Sequence, residues 1–299
     1  MKTELLLIRR NCRLFFRDLG MLLPSLCTPL ILLVLYATFL SNVYKDAFMA
    51  QLGAFQLEES LVNALVGGQL FSSLLAVSCV TVAFCSNLLM VQDKATGARR
   101  DLMIAPVKSS SLAVAYYVST MIVTLMIALV AMVACCLYLA VIGWYLSFGD
   151  ILLLLLDVLI LAMFGTALSS IVNYFLSTQG QCSVVGTIVS SCYGFICGAY
   201  MPISSFSEGL RNTVSVLPFS HGTSLLRNHA IAGVFREMEE MGLPDELIRG
   251  LRDSIDCNLY VGDAHVETWL MYLTLGGSCV LLFAAFVLIH RFLRKKNIA

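Results

Sequence analysis

The sequence predicts an all-α polytopic membrane protein. It has six transmembrane helices, an N-terminal interfacial helix and short re-entrant helices before the last span. Three observations predict this class. Of 299 residues, 59% are hydrophobic and 13% are charged, about half the ~25% charged share of soluble domains. Six runs, near 21–41, 64–91, 112–142, 151–175, 182–201 and 267–290, reach the about 20 mostly apolar residues that cross a hydrocarbon core. The basic residues are distributed to one side. Lys2, Arg9, Arg10, Arg13 and Arg17 precede the first span, Lys94, Arg99, Arg100 and Lys108 lie in the second turn, and Arg291, Arg294, Lys295 and Lys296 close the chain. The short loops on the opposite side hold only Lys45. Basic loops stay cytoplasmic, so both termini are expected inside.

Residues 1–19 read as an amphipathic helix. Leu5, Ile8, Cys12, Phe15 and Leu19 recur on one side, with Arg10, Arg13 and Arg17 on another and Arg9 beside them. A basic face opposite Leu and Phe suits a helix lying in the membrane interface. The plain alternative is a positive-inside anchor for the first span. That span contains Pro24 and Pro29, which predict a kinked or late-starting helix because each removes a backbone donor. The second span places Gly68, Ser72 and Ala76 four apart.

Between the second and third spans lies the turn Gln92-Asp93-Lys94-Ala95-Thr96-Gly97-Ala98-Arg99-Arg100-Asp101. It is the inner loop with both charge and a glycine, whereas 176–181 has no charge. The fourth span carries Asp157, an acid inside apolar sequence. Intramembrane acids are costly and usually functional, though this one lies near the outer end and can reach water or an interfacial partner. The fifth span spaces Cys182, Gly186, Ser190, Gly194 and Gly198 by four. Such a stripe lets helix backbones approach closely, within one subunit or at a subunit interface or pathway.

After Pro202, segment 203–232 is half apolar and broken, as expected of short helices re-entering the outer leaflet. Irregular backbone at that depth must pack against protein or a wet cavity. Residues 234–266 form a hydrophilic extracellular insert, with a helix start at Pro244-Asp245-Glu246. Eleven cysteines lie mostly in spans and act there as small hydrophobes. Cys257 is the one in the outer insert, so it is expected to be open to an impermeant thiol reagent.

Several chemistries are missing. There is no G-x-x-x-x-G-K-[ST] phosphate loop, no HExxH, no GxSxG elbow and no Cys/His cluster with metal-ligand spacing. The chain shows no engine of its own. It is driven by a partner, or it is a passive or ion-coupled carrier. An intramembrane enzyme is the third reading, and its residue sets are missing.

At two places the chain resembles the membrane subunits of ABC-2 type ABC transporters. The stretch Asp93-Lys94-Ala95-Thr96-Gly97-Ala98-Arg99-Arg100-Asp101-Leu102-Met103-Ile104-Ala105-Pro106 is similar to that family's acidic-basic-x-x-Gly turn, running through apolar residues to a Pro. Gly198-Ala199-Tyr200-Met201-Pro202, then Pro218-Phe219-Ser220-His221, then Arg227, resembles its signature after the fifth helix. Ala95 departs from the pattern, where the family often has a second acid.

The resemblance implies a permease without enzymatic activity of its own, exporting as a dimer with an identical or related permease. Two copies of a separate ATPase would bind ATP and Mg beneath it, with no cofactor on this chain. Residues 93–105 would be the coupling helix. Gly97 would allow a tight approach, Lys94, Arg99 and Arg100 would meet an acidic rim, and Asp93 and Asp101 complete the turn. The expected setting is a bacterial inner (plasma) membrane, with a lipid bilayer and no nucleic acid as partner.

Overall fold

The computed structural model describes residues 2–52, 58–104, 109–262 and 264–296. Ala105, Pro106 and Lys108 of the predicted turn, and Asp263, lie outside them. Helix α1 (Lys2–Arg17) ends at Asp18, whose side chain accepts the Gly20 N–H at 2.8 Å and starts α2 (Leu19–Leu35). Pro24 and Pro29 sit within α2, so the helix starts early rather than late. A π-helical turn, Tyr36–Leu40, joins it to α3 (Ser41–Leu52). The wider turn brings Tyr36 to α4 (Glu59–Ala95), where its hydroxyl donates to the Val66 carbonyl. Single π turns of this kind interrupt helices where a side chain must be re-aimed.

Helix α4 is the buried axis of the molecule. At 37 residues it is about 56 Å long, longer than a hydrocarbon core. It therefore carries the following turn clear of the membrane. Helix α5 (Ala98–Ile104) crosses at the tip, and α6 (Ser109–Ile142) returns along α4. Helix α7 (Phe148–Phe175) begins with a capping box. The Ser147 hydroxyl accepts the Asp150 N–H and Asp150 accepts the Ser147 N–H, satisfying two donors that the first turn leaves open.

Helix α8 (Gln179–Ile196) opens with a second capping box, Thr178 with Gln181. Five helical segments among the described residues are long and apolar enough to cross a membrane: Leu19–Gln51, Glu59–Ala95, Ser110–Ile142, Phe148–Phe175 and Thr268–Ile289. Helix α8 is not one of them. The run expected at 182–201 includes a turn at its end, and the 18-residue helix, about 27 Å long, carries Gln179, Gln181, Ser183, Thr187, Ser190 and Ser191. The all-α polytopic architecture stands on the other five.

A 3-10 turn, Ile203–Ser205, and α9 (Glu208–Ser215) lead into α10 (Pro218–Ala230). Helix α10 wedges between α4, α7 and α13 (Thr268–Lys296). Pro218 opens it at a position where a missing N–H costs nothing. The segment after it holds α11 (Ala232–Glu240), α12 (Asp245–Ser254) and an antiparallel hairpin of β1 (Tyr260–Val261) and β2 (Ala264–His265), pairing Tyr260 with His265. Cys257 is 1% exposed here, and burial pushes its thiol up to about 12. The expectation of an open, reactive cysteine in this insert is corrected. Ser224 and Asn228 of α10 both donate to the Cys257 carbonyl, at 2.7 and 2.6 Å, and hold this stretch against the helix.

Candidate functional site

Polar side chains gather at the two ends of the bundle. At one end, Asp93 is 4% exposed in the last turns of α4. Arg10 of α1 grips it with both guanidinium nitrogens, at 2.8 and 2.9 Å, and the Tyr116 hydroxyl of α6 donates to it at 2.6 Å. Two parallel charge-assisted bonds fix direction as well as energy. The Asp93 hydrogen bonds hold the Arg10 guanidinium above its ordinary range. Lys94 turns the other way. Its ammonium donates to the carbonyls of Tyr174, of Leu176 at 3.2 Å and of Asn173 at 3.5 Å, and it lies over the Tyr174 ring. These carbonyls lie at the C-terminal end of α7, where a cation is favoured.

The predicted turn residues therefore divide. Asp93 and Lys94 are anchors, bound within this chain. Gly97, Arg99, Arg100 and Asp101 form the tip. Gly97 has φ +83°, which favours glycine, and a Cβ there would meet no atom within 4 Å. Arg99 is half-buried, while Arg100 and Asp101 are exposed. Ile104 is 84% exposed, an apolar side chain offered beside two cations. Sequence reasoning missed Arg10 and Tyr116 as the partners of Asp93.

At the opposite end, Arg227 is fully buried in α10. It donates to Asp256 at 3.0 Å and to the Gly198 carbonyl. Asp256 also accepts the N–H groups of Ile203 at 2.6 Å and Ser204 at 3.0 Å, just after Pro202. The Arg227–Asp256 pair thus fastens the end of α8, the 3-10 turn and α10 together. The other signature residues surround this knot. The Phe219 ring meets Tyr193 edge-on at 5.7 Å, the Ser220 hydroxyl donates to the Val214 carbonyl at 2.8 Å, and His221 is 4% exposed.

The small-residue stripe divides as well. Gly186 faces open space on α8 and Ser190 is partly exposed. A Cβ on Gly194 would meet the Tyr200 ring at 2.3 Å, and Gly198 at φ +75° lies past the helix end. Gly194 packs on the chain's own turn and Gly198 terminates α8 with its left-handed backbone.

Asp157 is 1% exposed on α7. Its two oxygens meet His229 Nδ1 of α10 and the Tyr272 hydroxyl of α13, each at 2.6 Å. In the first turn of α7, Asp150 pairs with Arg236 of α11 at 2.5 and 3.1 Å. Among the described residues no group of three His, Cys, Asp or Glu side chains can hold a metal ion.

The family model described as ABC-2 type transporter matches residues 4–229, from α1 to the end of α10. The chain belongs to the ABC-2 type transporter family. It is a multi-pass membrane component of a transporter. The match takes in the turn around Gly97 and Arg227 itself, and it stops before α11, α12, the Asp256 that pairs with Arg227, and the hairpin. No curated protein matches the chain.

Proposed function

We propose that this ABC-2 chain is the permease subunit of an ATP-driven exporter, working as a dimer with a second permease and two separate ATPase subunits that hold ATP and Mg. The observation that carries this reading is the tip at Gly97–Ile104. Asp93 and Lys94 lock its base to α1, α6 and α7, while Arg100, Asp101 and Ile104 project from it. A tip that is rigid at its base and mixed in chemistry at its end suits a protein cleft with an acidic rim. In this reading α8, which runs from the Lys94 end of α7 to the Arg227 knot, makes a sixth crossing, so the tip and both termini face the cytoplasm and the α9–α12 region faces out.

Charge reversal at Arg99 and Arg100 tests it in the full chain, co-expressed with its ATPase in membranes. Each exposed ion pair is worth about 0–1 kcal/mol, so the double variant is the informative one. Insertion should be unchanged, with ATPase recovery and transport lost. Normal recovery and transport would place the contact elsewhere. An ion-coupled carrier is the second reading, favoured by the buried Asp157–His229 pair. Transport that persists with a hydrolysis-dead ATPase and stops when the proton gradient is collapsed would select that reading.

A further inference from the structure

Helices α2 and α6 both pack on α4 and diverge from each other. Between them lies a groove of about 920 Å³, at the upper end of the range for ligand pockets. Its floor is Leu70, Leu74 and Ser78, four apart on α4. The Ser78 hydroxyl is spent on the Leu74 carbonyl at 2.6 Å, so the floor presents no free donor there. The wall from Leu22 of α2 to Tyr36 of the following π turn runs about 21 Å, more than the ~15 Å depth of one leaflet's hydrocarbon. The opposite wall offers Val130, 72% exposed.

One end of the groove is different. It is closed by Phe16 of α1, one helical turn from Arg13 and adjacent to Arg17. Arg9, Arg13 and Arg17 are exposed and four apart, a single stripe on the helix surface. None of the ion pairs among the described residues involves them. The nearby Asp18 carboxylate is turned to the Gly20 N–H. Leu5 and Leu6, 70% and 66% exposed on the same helix, place α1 at a membrane surface.

We propose that this groove is a binding site for an anionic phospholipid of the leaflet on which α1 lies. Arg13 and Arg17 hold the headgroup and the cleft between α2 and α6 holds the acyl chains. A zwitterionic lipid fits the cleft but gains nothing from the two guanidinium groups. The reading goes beyond the transport role, and its test does not use transport.

The test places the full chain in phosphatidylcholine nanodiscs with a trace of phosphatidylglycerol carrying a photoreactive group mid-chain. Crosslinked residues are located by peptide mass spectrometry. Adducts should concentrate on the walls around Leu33 and Val130, and unlabelled phosphatidylglycerol should compete far better than phosphatidylcholine. Arg13→Gln with Arg17→Gln should reduce the anionic preference about 30-fold, from the roughly fivefold that each basic residue contributes near charged lipid. Val130→Trp should abolish the adducts while the arginines and the size-exclusion profile are unchanged. Adducts spread evenly over the lipid-facing helices, or equal competition by both lipids, would overturn the site. So would an empty groove in which Val130→Cys crosslinks two copies of the chain.

Discussion

The two polar ends of this transporter use the same pair, an arginine and an aspartate, to different effect. Arg10 retains 32% of its side-chain exposure while gripping Asp93, and Arg227 retains 1% against Asp256. The Asp93 end fixes the base of a hairpin and leaves its tip open. The Asp256 end leaves little open, because its carboxylate also takes two backbone N–H groups. The difference is one of tolerance. A contact surface needs a firm base and a free end, whereas a buried knot fails when any strand of it is cut.

Cutting the buried knot should produce the largest effect. Arg227→Leu leaves Asp256 buried without its cation, and breaking such pairs costs about 3–5 kcal/mol. Thermal unfolding in detergent should show a large loss. Adding Asp256→Leu should recover only part of it, because the Ile203 and Ser204 N–H groups lose their acceptor. Full recovery would reduce the knot to a simple ion pair. At the hairpin base, Asp93→Asn should cost about 1.5–3 kcal/mol, the worth of hydrogen bonds to a charged group. Amide exchange should rise through α1 while α10 stays protected; equal loosening of both would erase the contrast between the ends.

A smaller term joins α7 to α10. A double-mutant cycle on Asp157→Asn and His229→Ala should give about 0.6 kcal/mol of coupling, and at most about 1.7, as for other polar contacts between membrane helices. The smallest effect is expected at Cys257. With its thiol buried and pushed up to about 12, it should stay unlabelled by an impermeant maleimide near neutral pH, where the reactive thiolate is scarce. Met241→Cys, at a position 51% exposed in the same region, should label readily from outside. Rapid labelling of native Cys257 would mean that the α10–hairpin contact opens in the membrane.

The sequence made the long helices legible because an unbroken apolar run of sufficient length has one stable state in lipid. It also marked the turn at 92–101, since charge next to two spans must lie outside the hydrocarbon. It did not separate Asp93 from Asp101. Both are acids in one polar run, and what distinguishes them is Arg10, 83 residues away. The small residues at Gly194 and Gly198 do not reveal where α8 ends, because residues four apart fit a helix face equally well when the second of them terminates the helix. The better signal was the Pro202 that follows, since prolines commonly come soon after a glycine terminator. Cys257 was hidden for a similar reason. Its neighbours in sequence are polar, and the carbonyl contacts that bury it come from α10.

Helix α7 is clamped at both extremities by ions, with Lys94 on its last carbonyls and Arg236 on its first turn. It contains no proline across 28 residues, about 42 Å. Mechanically that is a strut with loaded ends. In the proposed exporter, a strut of this kind would pass on displacement without bending, so a push at the base of the hairpin would reach α11 as translation or tilt of one rigid body.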